Sequence, residues 1–161
     1  MGRKRHRAVK SISVTRFAFV IHPLTARQAA KKYSWARWMP EGLIEKLLVL
    51  TKPQVVSKIT GIVSLTGAET EGWFIGCPMT PRMMTQTMPL EDVYDRIVRC
   101  GQMAEDLGAD ILGLGAFTSV VGDGGLTVAS RLKIKVTTGN SYTVATAIEG
   151  TLKACRMVGV D

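Results

Sequence analysis

The chain has 161 residues, 46% of them hydrophobic, and a net charge of +8. That length makes about one domain, able to bury roughly 68–70% of its extended surface without disulfide or metal staples. No apolar run approaches the ~18–20 residues of a membrane span, and the basic start "MGRKRHRAVK" lacks the apolar core of a secretory signal. Three widely spaced cysteines, Cys77, Cys100 and Cys155, form neither a disulfide framework nor a zinc signature, so a reducing cytoplasm is the expected location. The charge is uneven: Arg3, Lys4, Arg5, Arg7 and Lys10 give +5 with no acid, whereas residues 11–161 carry 16 basic and 13 acidic groups. Residues 1–13 therefore read as a solvated basic tail, with phosphate contact as the alternative.

In chain order, "VTRFAFVIH" (14–22) is a β-branched and aromatic run that predicts a buried strand. Thr25 and Gln28 have capping-box spacing and open a helix over 26–33. Pro40 starts a second helix with Leu43, Ile44, Leu47 and Leu48 on one stripe. "VVSKITGIVSL" (55–65) and "EGWFIGC" (71–77) read as two strands joined by a hairpin connection. Thr80 and Pro81 have the N-cap and first-turn pattern. Pro89, Glu91 and Asp92 open a longer helix in which Val93, Ile97, Cys100, Ala104 and Leu107 repeat at helical spacing, and Gly108 ends it. "DILGLG" (110–115) and "LKIKV" (132–136) are strands flanking a glycine-broken segment. A last helix carries Val144, Ile148, Cys155 and Val158 on one face. Helices between most strands predict an α/β fold, a three-layer domain over 14–161 with a largely parallel sheet flanked by helices.

Ligands in such sheets bind at the carboxyl ends of strands. Three of those ends are polar here: His22 after the first strand, Thr118 and Ser119 in "GAFTS", and "TTGNSYT" (137–143) before the last helix. Gly139 permits a turn that other residues resist. Asn140, Ser141 and Thr143 can cap free helix amides, where an anion or a developing oxyanion is also favoured. Thr118 and Ser119 either bond their own backbone or face a site. His22 is either a satisfied histidine or an acid, base or ligand. "GLGAFT" has Thr118 where the third glycine of a dinucleotide loop belongs, and "GDGG" lacks the spacing. Met79, Met83, Met84 and Met88 suit either core packing or a flexible apolar wall, and none of the cysteines is assigned as a nucleophile.

Together "FVIHPLT", "FIGCPM", "DILGLGAFTSVVGDGG" and "VTTGNSYTVATAIEGTLKACRMVGVD" resemble the N-terminal portion of the long-chain acyl-(acyl-carrier-protein) reductase family, whose relatives include proteins described as predicted amino-acid dehydrogenases. The resemblance spans residues 14–161 and is strongest over Ala116 to Ser119 and Thr137 to Asn140. Ala116 stands where the family has glycine, and Pro23 follows the histidine. The resemblance implies a substrate-side domain of an NAD(P)-dependent oxidoreductase acting on a carbonyl or acyl thioester. It implies that NADP or NAD is held by a separate nucleotide-binding domain after residue 161, with none bound by this domain alone. By the wider likeness to shikimate dehydrogenases, Thr138, Gly139, Asn140 and Ser141 form one cleft wall, with Thr118 and Ser119 opposite and His22 a third contributor. No metal is implied. The expected partners are that second domain and an acyl carrier protein, with a homodimer through an apolar wall. The rival reading is a stand-alone binding module using the basic tail on nucleic acid or an acidic carrier. An aromatic content of 6% argues against a base-stacking surface.

Overall fold

The computed structural model describes residues 15–31 and 34–160; the basic tail expected at 1–13 lies outside them. Strand β1 (Thr15–Ile21) leads to α1 (Ala26–Ala30), where the Thr25 hydroxyl accepts the Gln28 amide at 3.1 Å. Gln28 reaches back to the Leu24 amide at 2.7 Å, so the expected capping box forms with its return arm displaced by one residue. α1 ends at Ala30, short of the expected 33, and a 3₁₀ segment (Ser34–Trp38) precedes α2 (Glu41–Leu50). The hairpin strands are β2 (Gln54–Val63) and β3 (Glu69–Gly76). Thr80 caps the next turn by accepting the Met83 amide at 3.2 Å, and Met83–Thr87 is wound as π-helix.

α3 (Leu90–Asp106) begins after Pro89 with Glu91 and Asp92 at its positive end. β4 (Ile111–Leu114) runs into a 3₁₀ turn (Ala116–Ser119), then α4 (Leu126–Ser130), β5 (Lys135–Thr137) and α5 (Asn140–Val158). β5 starts later than "LKIKV" suggests. The Ile134 amide is taken by the Glu105 carboxylate at 3.2 Å, together with that of Lys133, and Leu132 packs over Gly101 of α3. Amides spent on a side chain are lost to the ladder.

The sheet order is β2-β3-β1-β4-β5, parallel throughout except for the antiparallel β2–β3 hairpin. The α/β class and the largely parallel sheet flanked by helices are as expected. Register fixes what each face carries. Ala18, Trp73 and Leu112 are neighbours across three strands, as are Val20, Ile75 and Leu114, and all six are buried. Val93, Ile97, Cys100 and Ala104 of α3, Val128 of α4 and Leu48 of α2 pack on this side. Met79, Met83 and Met84 are buried there too, which makes the methionines core.

Helical cover is uneven. The other side of the same strands carries Phe17 and Phe19 of β1, Phe74 of β3 and Ile111 of β4, all only partly buried, with Phe19 37% exposed in the central strand. Glycines make room for these rings. Phe17 lies against Gly72, and the Phe19 ring covers Gly113 and Gly115, with Phe74 edge-on at 6.1 Å. A methyl group at Gly72 would run into the Phe17 carbonyl oxygen as well as its ring, and backbone cannot step aside. Gly72→Ala should therefore lower unfolding stability by about 2–4 kcal/mol in urea titration.

Candidate functional site

Chain direction, more than any single motif, locates the site. The chain leaves β1 towards the β2–β3 side of the sheet and leaves β4 towards β5. The β1 and β4 tips therefore flank the point where strand order reverses, the usual place for a ligand crevice in an open α/β sheet. His22 and the Ala116–Ser119 turn sit at those two tips. Their separation of 95 positions in sequence closes to one hydrogen bond, the Phe117 amide donating to His22 Nε2 at 3.2 Å.

That bond fixes the histidine's role. With Nε2 accepting, Nδ1 carries the hydrogen and donates to the Pro23 carbonyl at 3.1 Å. The ring also meets Phe117 edge-to-face, with centroids 6.1 Å apart. Both ring nitrogens are hydrogen-bonded within the protein, so His22 ties the two strand tips together.

Thr118 and Ser119 are likewise engaged within the protein. Thr118 is 1% exposed and donates to the Gly115 carbonyl at 2.8 Å; Ser119 donates to the Ala116 carbonyl at 2.6 Å. Their hydroxyls close the 3₁₀ turn. The turn is tight because Ala116 adopts φ +48°, the only non-glycine positive φ among the described residues. A Cβ there crowds the following carbonyl, and such strain persists only where the surroundings enforce it.

At the β5 tip, Thr137 Oγ1 accepts the Gly139 amide at 3.2 Å and Thr138 Oγ1 accepts the Asn140 amide at 3.4 Å. Gly139, at φ +73°, is the residue before α5, and it supplies no side-chain cap. The two threonines before the helix thus do the hydrogen bonding expected of Asn140 and Ser141, which are exposed. Thr143 donates to the Gly139 carbonyl at 3.1 Å. Thr138 is half-buried, its methyl 3.7 Å from where a Cβ on Gly125 would lie. Thr138 therefore borders the 122–125 loop at Gly125.

Two supports were not legible in the sequence. Beyond the β3 tip, Glu45 of α2 is buried and accepts from Thr80 Oγ1 at 3.0 Å while pairing with the Arg82 guanidinium. Arg82's hydrogen bond holds the Glu45 carboxyl below the usual carboxylate range against the opposing effect of burial, with Thr80 adding to the lowering. At the 122–125 loop, Tyr94 Oη of α3 accepts the Asp123 amide at 3.2 Å, and Asp123 in turn accepts from the Thr127 amide at 3.0 Å and from its hydroxyl at 2.6 Å. These Thr127 hydrogen bonds hold the Asp123 carboxyl low. The only available signal was an aspartate four residues before a threonine at a helix start. In the core, the Cys77 thiol and burial push the Cys100 thiol up, away from nucleophilic use.

Two cavities lie elsewhere. One of about 530 Å³ is lined by Arg27, Ala30, Lys31, Ala36 and Trp38; the other, about 360 Å³, lies beside Arg16, residues 60–63 and residues 69–71. Neither contains a strand-tip residue proposed from the sequence. Among the described residues no group of three metal-ligating side chains gathers, and no helix is long and apolar enough to cross a membrane.

No known protein-family model matches the chain. Among curated proteins it is similar to the aminotransferase PigE of Serratia sp. (strain ATCC 39006), at 37% identity over 83 residues. That match takes in 51% of this chain, which spans 9% of the length of that much larger protein.

Two substitutions test the geometry. Ala116→Gly relieves the positive φ and should raise stability by about 0.5–1 kcal/mol, read as a higher urea midpoint. Glu45→Gln should cost about 1–2 kcal/mol at pH 7, the lower end for a charged hydrogen bond because Arg82 is half in solvent. Because the folded carboxyl is held low, its contribution is complete above the unfolded value of about 4.3 and lost as pH falls through the folded one. Wild type and Glu45→Gln should therefore converge in acid, as thermal melts between pH 7 and pH 3 would reveal.

Proposed function

We propose that this domain is the substrate-side half of an NAD(P)-dependent oxidoreductase, holding a carbonyl or acyl-thioester carbon for reduction. The observation that carries this reading is the strained Ala116 turn pinned to His22 at the strand-order reversal, with the α5 amino end nearby. Positive-φ strain at a strand tip is a mark of sites that place backbone groups for a ligand.

The nicotinamide cofactor itself does not fit this chain's own residues. The turn after β4 presents Ala116 and Phe117 where a pyrophosphate needs bare backbone, and its helical segment is four residues long. Hydride chemistry belongs to a separate nucleotide-binding lobe. What this chain contributes is position and polarity. Amides in the first turn of α5 beyond Asn140, whose own amide Thr138 engages, offer donors to a carbonyl oxygen as charge develops. Asn140, exposed beside them, adds a side-chain amide that can orient the substrate's polar end. Thr118, Ser119 and His22 act from behind as positioning residues, keeping the opposite tip rigid.

The aminotransferase similarity is compatible with this chemistry. An aminotransferase, by its name, exchanges an amino group with a carbonyl, and a reductase acting on an acyl thioester delivers such a carbonyl. The basic residues among the first ten also suit an acidic acyl carrier.

Titrating the ¹⁵N-labelled chain with a fatty aldehyde and with an acyl-pantetheine thioester tests this. Amide shifts should concentrate at Phe117 and residues 138–141, and NADPH alone should move none of them. Shifts confined to the Arg27–Trp38 cavity, or shifts with neither ligand, would refute the assignment.

A further inference from the structure

α5 is a 19-residue helix with no buried residue. Its apolar side chains are nonetheless ordered: Val144, Ile148, Leu152 and Cys155 fall on one stripe, with Val158 at its edge. Ile148 is 56% exposed and Val144 and Leu152 are similarly open, while Glu149, Lys153 and Arg156 lie off the stripe. A solitary helix in water is held together only marginally by propensity, and its stability in proteins comes chiefly from packing an amphipathic face. This stripe is built to be covered.

The same chain also carries the matching surface. The sheet face of Phe17, Phe19, Phe74 and Ile111 is flat because glycines occupy neighbouring positions, and half-exposed apolar rings crowd its central strands. Sheets in α/β domains bury such faces under helices. We infer that two copies of this chain associate by reciprocal exchange of α5, each helix laying its Val144–Ile148–Leu152 stripe across the partner's Phe17–Phe19–Phe74 face.

Three points favour a second copy over an unrelated partner. Both complementary surfaces lie on one chain, so a two-fold dimer covers both at once with an isologous, closed interface. A helix of 19 residues is about 28 Å long and ~10 Å across, comparable to the length of β1. Its footprint of about 280 Å² a side, counted on both surfaces of both contacts, comes to ~1,100 Å², just over what a specific dimer needs. The short connection from β5 to α5, Thr138 and Gly139, also suits exchange. α5 leaves β5 through Gly139 at φ +73° and buries none of its residues in the protomer, and short hinges favour swapping over folding back. The inference goes beyond the enzymatic reading and does not depend on it, since its test includes neither substrate nor nucleotide.

Sedimentation equilibrium of the full 161-residue chain, from about 5 to 500 µM, should fit a monomer–dimer equilibrium. Ile148→Asp should weaken association at least ~100-fold, while at concentrations where both proteins are monomeric it leaves circular dichroism and thermal midpoint unchanged, because α5 buries nothing in the protomer. In a second measurement, a nitroxide on Cys155 of unlabelled chain is mixed with ¹⁵N chain, where it should broaden amides of Phe17, Phe19 and Phe74. A monomer at the highest concentration overturns the inference. So does a dimer indifferent to Ile148→Asp, or a mixture without broadening when a chain carrying both nitroxide and ¹⁵N does show it, which would mean that α5 folds back on its own sheet.

Discussion

A β-sheet has two faces, and this one spends its helices mainly on the first. Ala18, Val20, Trp73, Ile75, Leu112 and Leu114 form a continuous buried floor under α3, with α2 and α4 packed at its margins through Leu48 and Val128. The arrangement is pinned by polar ties as well as by burial. Arg96 of α3 donates to the Leu48 and Val49 carbonyls at the end of α2, a cation where the helix dipole is negative. Arg131 pairs with Glu91 and Asp95 and lies over the Tyr94 ring, tying the segment after α4 to the first turns of α3. Single exposed pairs of this kind contribute little each; their role is to fix where the helices stop. Everything else about the molecule, including its open aromatic face and its free last helix, follows from this concentration of cover on one side.

The parallel order brings four strand tips to one edge, and their contents differ in character. At β1 and β4 the polar groups are turned inward, His22 to Phe117 and the two hydroxyls to their own turn, giving a rigid floor with a strained residue at its centre. At β5 the Thr137 and Thr138 hydroxyls take the Gly139 and Asn140 amides, while Asn140 and Ser141 are exposed at the start of α5. Rigid on one wall and open on the other is a usable combination for a ligand that must be held in one orientation, because preorganised donors need no rearrangement when charge develops. The β3 tip completes the frame: the Glu45–Thr80–Arg82 cluster anchors the chain just beyond it to α2.

Local structure was readable because it is encoded locally. Thr25 caps its helix, Pro89 with Glu91 and Asp92 opens α3, and Gly108 stops it at φ +78°, each from side-chain chemistry within one turn. The stripe of Val93, Ile97, Cys100 and Ala104 is buried as its spacing requires. The β5 boundary was misplaced because Glu105, on a different element, takes amides that the apolar alternation of "LKIKV" assigns to the ladder. The same limit applies to the tips. Which of two threonines caps α5, and whether Thr118 faces a ligand or its own turn, depend on backbone angles that composition does not specify.

By itself, then, the sequence determined the class of fold, the order of its elements and the three segments where polar residues collect at strand ends. Tertiary structure alone decided that His22 is a strut, since its partner lies 95 residues away and meets it only through the β1–β4 pairing. It also decided that α5 stands uncovered. Periodicity marks a helix face as apolar, but whether that face finds a surface depends on the direction in which a two-residue turn releases the helix, and that is set by the backbone at Gly139.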